Sequence, residues 1–167
     1  HDGEAIIVPT GVGEPPRLLA ALADRRRSFQ GVTVLQLLPL RHFDYFDPAT
    51  LHHVRHVSLF FSGTTRGGGQ AGWIDYIPSS FSELPRLIGD DLIHVDTVFC
   101  LASPMDERGY FSIGLATDYT HAALRVARKI VLEVNPHVPY ALGNCHVHLS
   151  QVTALVDAGI QQARARQ

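Results

Sequence analysis

"DTVFCLASPMDERGYFSIG", residues 96–114, decides the fold. After its first two residues it runs apolar without a break as far as Ala102. A strand that is apolar at successive positions, rather than at every second one, is buried on both faces, as strands of parallel sheets are. The run then opens onto Ser103, Pro104, Asp106, Glu107 and Gly109, and turns apolar again at "YFSIG". A plain connector does not need that chemistry, so the turn is a candidate site.

Working outward, "EAIIVP", "VTVLQLL", "HVSLFF" and "KIVLEV" are apolar runs of the same kind. Between them the spacing changes. From Pro15 to Ser28, Leu18, Leu19, Leu22 and Ala23 recur at helical intervals, with proline suited to a first turn. A short helix is expected around Ala49 to Val54. Another is expected in "SSFSELPRLIGD" behind Ser79 or Ser80, and a third in "DYTHAALRVARK" behind Asp118 or Thr120. "WIDYIP" reads as a short strand and "CHVHLSQ" as extended. "VTALVDAGIQQARARQ" closes the chain with helix formers. Buried strands alternating with helices predict an α/β domain: an open, mostly parallel sheet with helices on both faces.

Such sheets bind ligands beyond the carboxyl ends of their strands, at a switch in strand order. The strand ends here are "PTGVGEPP", "PLRHF", "SGTTRGGG" and "SPMDERGY", each rich in glycine, proline or charge. The stretch from Ser62 to Gly72, with five glycines, reads as loose. The opening turn therefore falls where this class of sheet places its ligands.

The chain has 167 residues, enough for one domain with a real core, and 46% of them are hydrophobic, which excludes disorder. A formal net charge of −2 supplies no basic field for nucleic acid or an anionic membrane. No apolar stretch approaches the length of a membrane span, so no membrane partner is expected. Two cysteines, Cys100 and Cys145, without a C-x-x-C pair, point to a reducing cytoplasm rather than a disulfide framework. His1 reads as a chain cut open upstream, and no signal peptide is visible.

Each local motif has a bland reading beside its functional one. "GVGEPP" stands between a strand and a helix, as a phosphate cradle would, but Pro16 replaces the third glycine of the dinucleotide fingerprint and no G-K-[ST] follows. Gly11 and Gly13 either admit a ligand against the backbone or make a tight turn. Ten histidines include His52 and His56, four apart, and His146 and His148 on one face of a strand. No H-E-x-x-H accompanies them, and no tight zinc binding is expected. Serines, histidines and acids suffice for a hydrolase triad, but no G-x-S-x-G elbow exists. Asp106 and Glu107 are either an acid/base pair or ordinary turn residues. Arg25–Arg27 suits a helix C-terminus or a phosphate.

Taken together, "GEPPRLLAAL", "SLFFSGTTRGGGQAGWIDYIPSSFSELPRLI", "SPMDERGYFSIG" and "KIVLEVNPHVP", in this order and at these separations, resemble the N-terminal domain of the acetyl-CoA hydrolase/transferase family. These are the family I CoA-transferases of the acetate and 4-hydroxybutyrate type. The S-P-x-D-x-x-G-Y-x-S-x-G turn and the E-V-N-P stop carry most of the resemblance, which covers nearly the whole chain.

The resemblance implies a CoA-transferase-like (NagB–RpiA-like) fold and an active site in a cleft between two similar domains. A glutamate of the second domain attacks the thioester, and CoA passes through a glutamyl intermediate to a carboxylic acid or is released by water. Coenzyme A is then a substrate, and no cofactor or metal is called for. Cleft-facing positions carried over are Gly11, Gly13, Gly63, Arg66, Ser103, Pro104 and Gly109. Arg66 suits a carboxylate or phosphate. Glu133 sits in a buried strand pattern and is expected to serve structure. Relatives place helix formers after the arginine, whereas Gly67, Gly68 and Gly69 here predict a floppier loop. Met105 and Arg108 replace a common proline and histidine.

Nothing after Ser150 resembles the second domain, so residues 1–167 are expected to be a single first domain, inactive alone and completed by a second catalytic domain or subunit. Self-association is also expected. The alternative is a non-catalytic module of the same fold that binds a CoA-like ligand or a partner.

Overall fold

The computed structural model describes residues 1–157. Seven strands form one all-parallel sheet: β1 (Ala5–Val8), β2 (Val32–Gln36), β3 (Val54–Ser58), β4 (Asp75–Tyr76), β5 (Thr97–Ala102), β7 (Lys129–Val134) and β9 (Ala154–Asp157). Their order is β4-β3-β2-β1-β5-β7-β9. β6 (Tyr110–Ser112) and β8 (His146–His148) form a separate antiparallel ribbon. The helices are α1 (Pro16–Asp24), α2 (Arg66–Gln70), α3 (Leu84–Gly89) and α4 (Tyr119–Val126).

All five strands read from the sequence are present. β5 lies inside the sheet between β1 and β7, and Val98, Cys100 and Ala102 are fully buried. Period-2 alternation sorts each strand between two cores. Ile7, Leu35, Val57 and Val98 face α3 and α4 with Leu84, Ile88 and Ala123. Ile6, Val8, Val32, Val34 and Val54 face α1 and the aromatic turn Phe43–Phe46. Both faces are therefore covered, and the unbroken apolar runs follow from that. At the amino ends, Asp96 joins three strands: its carboxylate accepts the Ala5 N–H at 2.9 Å and pairs with Arg128 beside β7.

Three local expectations fail. Ala154–Asp157 is not helical. It pairs in parallel with β7, and Thr153 exchanges bonds with Ile130 to set the register, so an open sheet edge outcompetes helix propensity. The rest of the expected terminal helix lies outside the described residues. The helix expected at Ala49–Val54 shrinks to a 3-10 turn, Pro48–Thr50, behind an Asp47 cap, because Val54 is recruited to pair with Val32.

Ser62–Gly72 is not loose. It contains α2, and the glycines allow close packing there. A Cβ on Gly69 would stand 2.3 Å from the Phe61 ring, and one on Gly68 would stand 2.5 Å from Ile74. Both contacts are closer than real side chains allow, so glycine suits the packing of Phe61 and Ile74 against α2.

Candidate functional site

The loops after β1, β2 and β3 enclose an apolar cleft of about 460 Å³, bordered by Thr10–Val12, 38–40 and 62–64. Hydrogen bonds hold its walls together. The Gly11 N–H donates to Leu38 O at 3.0 Å, and the Thr64 hydroxyl donates to Pro39 O at 3.1 Å. Behind the wall, the buried Glu14 carboxylate accepts Gln36 Nε2 at 3.0 Å and the Leu40 N–H at 3.1 Å. Gln36 Nε2 also donates to Pro9 O at 3.2 Å. The acid of "GEPP" thus staples the first loop to the second.

The switch in strand order lies between β1 and β5, and the chain itself fills it. A Cβ on Gly13 would stand 2.4 Å from the Ala116 Cβ. Asp118 accepts the Thr10 N–H at 3.2 Å and caps α4 through the Thr120 N–H at 2.9 Å. The Tyr119 hydroxyl donates to Val8 O at 2.7 Å and accepts from the Leu37 N–H at 3.2 Å. Burial, reinforced by Asp118, holds the Tyr119 phenol well above its usual range, so it stays protonated as that donor. The open cleft therefore sits one strand aside, over β1–β3.

The structure brings Gly11 and Gly63 to this cleft, with Gly13 packed just behind it. Arg66 is exposed at the start of α2, two residues beyond Thr64, and has no side-chain partner among the described residues. Ser103, Pro104 and Gly109 are elsewhere, at the start of the β6–β8 ribbon. Ser103 is fully buried; its hydroxyl accepts the Ser112 N–H at 3.0 Å and donates to Pro104 O.

Asp106 accepts the N–H groups of Arg108 and Tyr110 and the Tyr140 hydroxyl at 2.8 Å. These bonds, the Tyr110 N–H first, lower its pKa and keep it a carboxylate. Gly109 closes the turn at φ +84°. The charge-bearing turn at the mouth of β5 thus makes the reversal into the ribbon.

The His52/His56 pair separates, whereas His146 and His148 stay on one face of β8, both against the Tyr110 ring. His56 is buried on β3, with its ring 4.6 Å from Phe46 and 6.4 Å from Tyr45, whereas His52 precedes the strand and lies against His53. His146 stacks on Tyr140, and His148 Nδ1 lies 2.8 Å from the Ser150 hydroxyl. No three His, Cys, Asp or Glu side chains cluster as a metal site among the described residues. Cys100 and Cys145 are free and buried. No helix of the described residues is long and apolar enough to cross a membrane.

Sequence reasoning missed Glu14, Gln36 and Tyr119. An acid between two glycines and a proline pair, and a glutamine ending an apolar strand, were available signals for the first two. The role of Tyr119 depends on where α4 docks, which no local pattern carries.

Compared with known proteins, residues 1–160 match the family model described as the acetyl-CoA hydrolase/transferase N-terminal domain. The chain is 39% identical over 158 residues to the succinyl-CoA:cyclohexane-1-carboxylate CoA transferase of Geobacter metallireducens, covering 93% of this chain and 35% of that protein. It is 31% identical to the 4-hydroxybutyrate coenzyme A transferase of Clostridium kluyveri, covering 92% and 36%. The chain thus spans about a third of the length of these curated relatives. Among solved structures, RipA from Yersinia pestis superposes with a TM-score of 0.85 at 30% identity, over 93% of this chain and 39% of that one. A 4-hydroxybutyrate CoA-transferase from Porphyromonas gingivalis shares the fold with a TM-score of 0.69 at 22% identity, over 94% and 35%.

Proposed function

Because the chain belongs to the acetyl-CoA hydrolase/transferase family, we propose that it forms one wall of a CoA-transfer site. The facing wall and the nucleophile come from a second domain or subunit. The observation that carries this reading is the match over residues 1–160, joined to an open cleft at the ends of β1, β2 and β3.

In the reaction we infer, a glutamate carboxylate of the second unit attacks the acyl-CoA carbonyl. The C–S bond breaks, CoA leaves as thiolate, and an acyl–glutamyl anhydride forms. The thiolate then attacks the glutamyl carbonyl, the acyl group leaves as its carboxylate, and a glutamyl–CoA thioester remains. An acceptor carboxylate runs these steps in reverse; water in its place releases free CoA and makes the enzyme a hydrolase. Coenzyme A is the substrate, and the steps need no cofactor or metal.

The engaged acids at the strand ends support a nucleophile from outside. Glu14 is held by Gln36 and Leu40, Asp118 by Thr10 and Thr120, and Glu133 by the backbone of α1. On the first and third loops, the Val12 and Gly63 N–H groups have no acceptor among the described residues and suit a developing oxyanion. Arg66, unpaired among the described residues and close to the cleft, suits a CoA phosphate or a substrate carboxylate. Val12, Leu40 and Phe60 are each more than half exposed around the same loops, which fits a surface covered by the second unit or by another copy. Buried free thiols fit a reducing cytoplasm.

Thiol release from acetyl-CoA, with and without an acceptor acid, tests the reading. The isolated 167-residue chain should show no turnover, and adding the second unit in cis or in trans should restore it. In the assembled enzyme, Arg66→Ala should lower kcat/KM by about 10- to 100-fold, the worth of one charge-assisted hydrogen bond. Multiple turnover by the isolated chain, proportional to its concentration and surviving repurification, would overturn the proposal.

A further inference from the structure

We propose that the groove between α4 and residues 143–151 binds a small organic phosphate of about nucleotide size. The groove holds about 670 Å³ and opens at His121 and Asn144 into a smaller pocket of about 310 Å³ beside Thr117. That volume is in the range of small-molecule sites. Neither pocket shares a lining residue with the cleft over β1–β3. Both walls belong to this chain. α4 supplies one, and the loop into β8 with the turn after it supplies the other.

Four side chains that can donate hydrogen bonds line the groove with donors unengaged among the described residues: His121, Arg125, Asn144 and Gln151. His121 and Arg125 stand four apart on α4 and so share a face. Neither of their side chains makes an ion pair or a hydrogen bond among the described residues. Asn144 and Gln151 come from the opposite wall. Gln151 Oε1 accepts the His148 N–H at 3.0 Å, which leaves Nε2 to donate. No Asp or Glu borders either pocket among the described residues. One arginine in a last helical turn is ordinary. Donors from two segments on one concave surface are what recognition of an anion requires.

The wall opposite α4 is held in place by its own bonds. His146 Nε2 lies 2.9 Å from Ala141 O, and the Ser112 hydroxyl donates to the same oxygen at 3.2 Å. The Ile113 N–H donates to Cys145 O at 2.9 Å. A wall fixed in advance lowers the ordering cost of binding. A phosphate monoester presents three strong acceptor oxygens, which engage a guanidinium and both amides together; a carboxylate presents fewer. Leu124 and Val147 give the organic body an apolar floor.

NMR of the full 167-residue chain, titrated separately with AMP, inorganic phosphate and CoA, tests the proposal. AMP should shift the side-chain signals of His121, Arg125, Asn144 and Gln151 saturably, with a Kd of about 0.1–1 mM. Inorganic phosphate should shift the same signals more weakly. Arg125→Gln should weaken AMP binding at least about tenfold, and Asn144→Ala about threefold. Both residues are exposed, so each variant should fold, which a thermal melt checks. The absence of a saturable shift with AMP and phosphate would overturn the proposal, as would equal shifts at Arg25–Arg27 and Arg86 or unchanged affinity in Arg125→Gln. CoA carries a phosphate monoester of its own. Shifts from CoA with none from AMP or phosphate would also overturn the proposal and assign the groove to the transfer substrate.

Discussion

Glu133→Ala will lower the stability of the domain by about 2–4 kcal/mol, because two backbone N–H groups lose their acceptor together. Glu133 is on β7 and only 1% exposed. Its Oε2 accepts the Arg17 N–H at 2.8 Å and the Leu18 N–H at 3.2 Å, in the first turn of α1. That helix begins with Pro15 and Pro16 and has no side-chain cap of its own, so the strand supplies the cap and sets the carboxylate against the positive end of the helix. α1 carries Leu19 and Leu22 into the core it shares with β1 and β2, and so the loss is felt by the sheet. The melting temperature should fall by roughly 5–15 °C. Glu133→Gln keeps an acceptor oxygen and should lose about half as much. A fall of under about 2 °C for the alanine variant would show that α1 does not depend on this cap.

The second large effect is on acid stability. Burial drives the His56 pKa down from its ordinary value to about 3, so the folded protein holds a neutral ring across the weakly acidic range. The unfolded chain takes up a proton near pH 6.5. The unfolded state thus binds more protons between these values, and stability falls as pH falls. His56's contribution is complete above about pH 6.5 and is lost progressively toward pH 3, at about 1.4 kcal/mol per pH unit.

His56→Leu removes this slope. At pH 7 the change should be close to neutral, since neither ring nitrogen has a protein partner among the described residues and the neighbours are aromatic. Urea unfolding between pH 7 and 4.5 measures the difference, a window above most carboxylate titrations. The unaltered protein should lose about 2–3 kcal/mol more than the variant across it. Parallel losses in the two proteins would mean that His56 titrates normally in the fold.

These two residues mark how far the sequence could be read. The main sheet was legible because β1, β2, β3, β5 and β7 are apolar on both faces, a signal that stays local. β9 was not, because Ala154–Asp157 owes its conformation to the free edge of β7, far away in the chain. The strand ends were legible as a ligand region, and the loops at Gly11 and Gly63 do meet in one cleft. The turn at Ser103 was not legible as ribbon chemistry, because its partners, Ser112, Tyr140 and His148, belong to segments whose docking is tertiary. The triple glycine misled for a physical reason. Composition records flexibility in the unfolded chain, whereas Phe61 and Ile74 use the missing side chains as packing space.

In the proposed function, this domain shapes the acyl site and a second unit supplies the carboxylate that becomes acylated and then carries CoA. Mass spectrometry of peptides from the assembled enzyme, digested after brief incubation with acyl-CoA, tests this directly. The expected result is a CoA thioester on a glutamate outside residues 1–160, with no adduct on any acid of this domain. A CoA adduct on Asp106, Glu107 or Glu133 would contradict it and move the nucleophile into this chain.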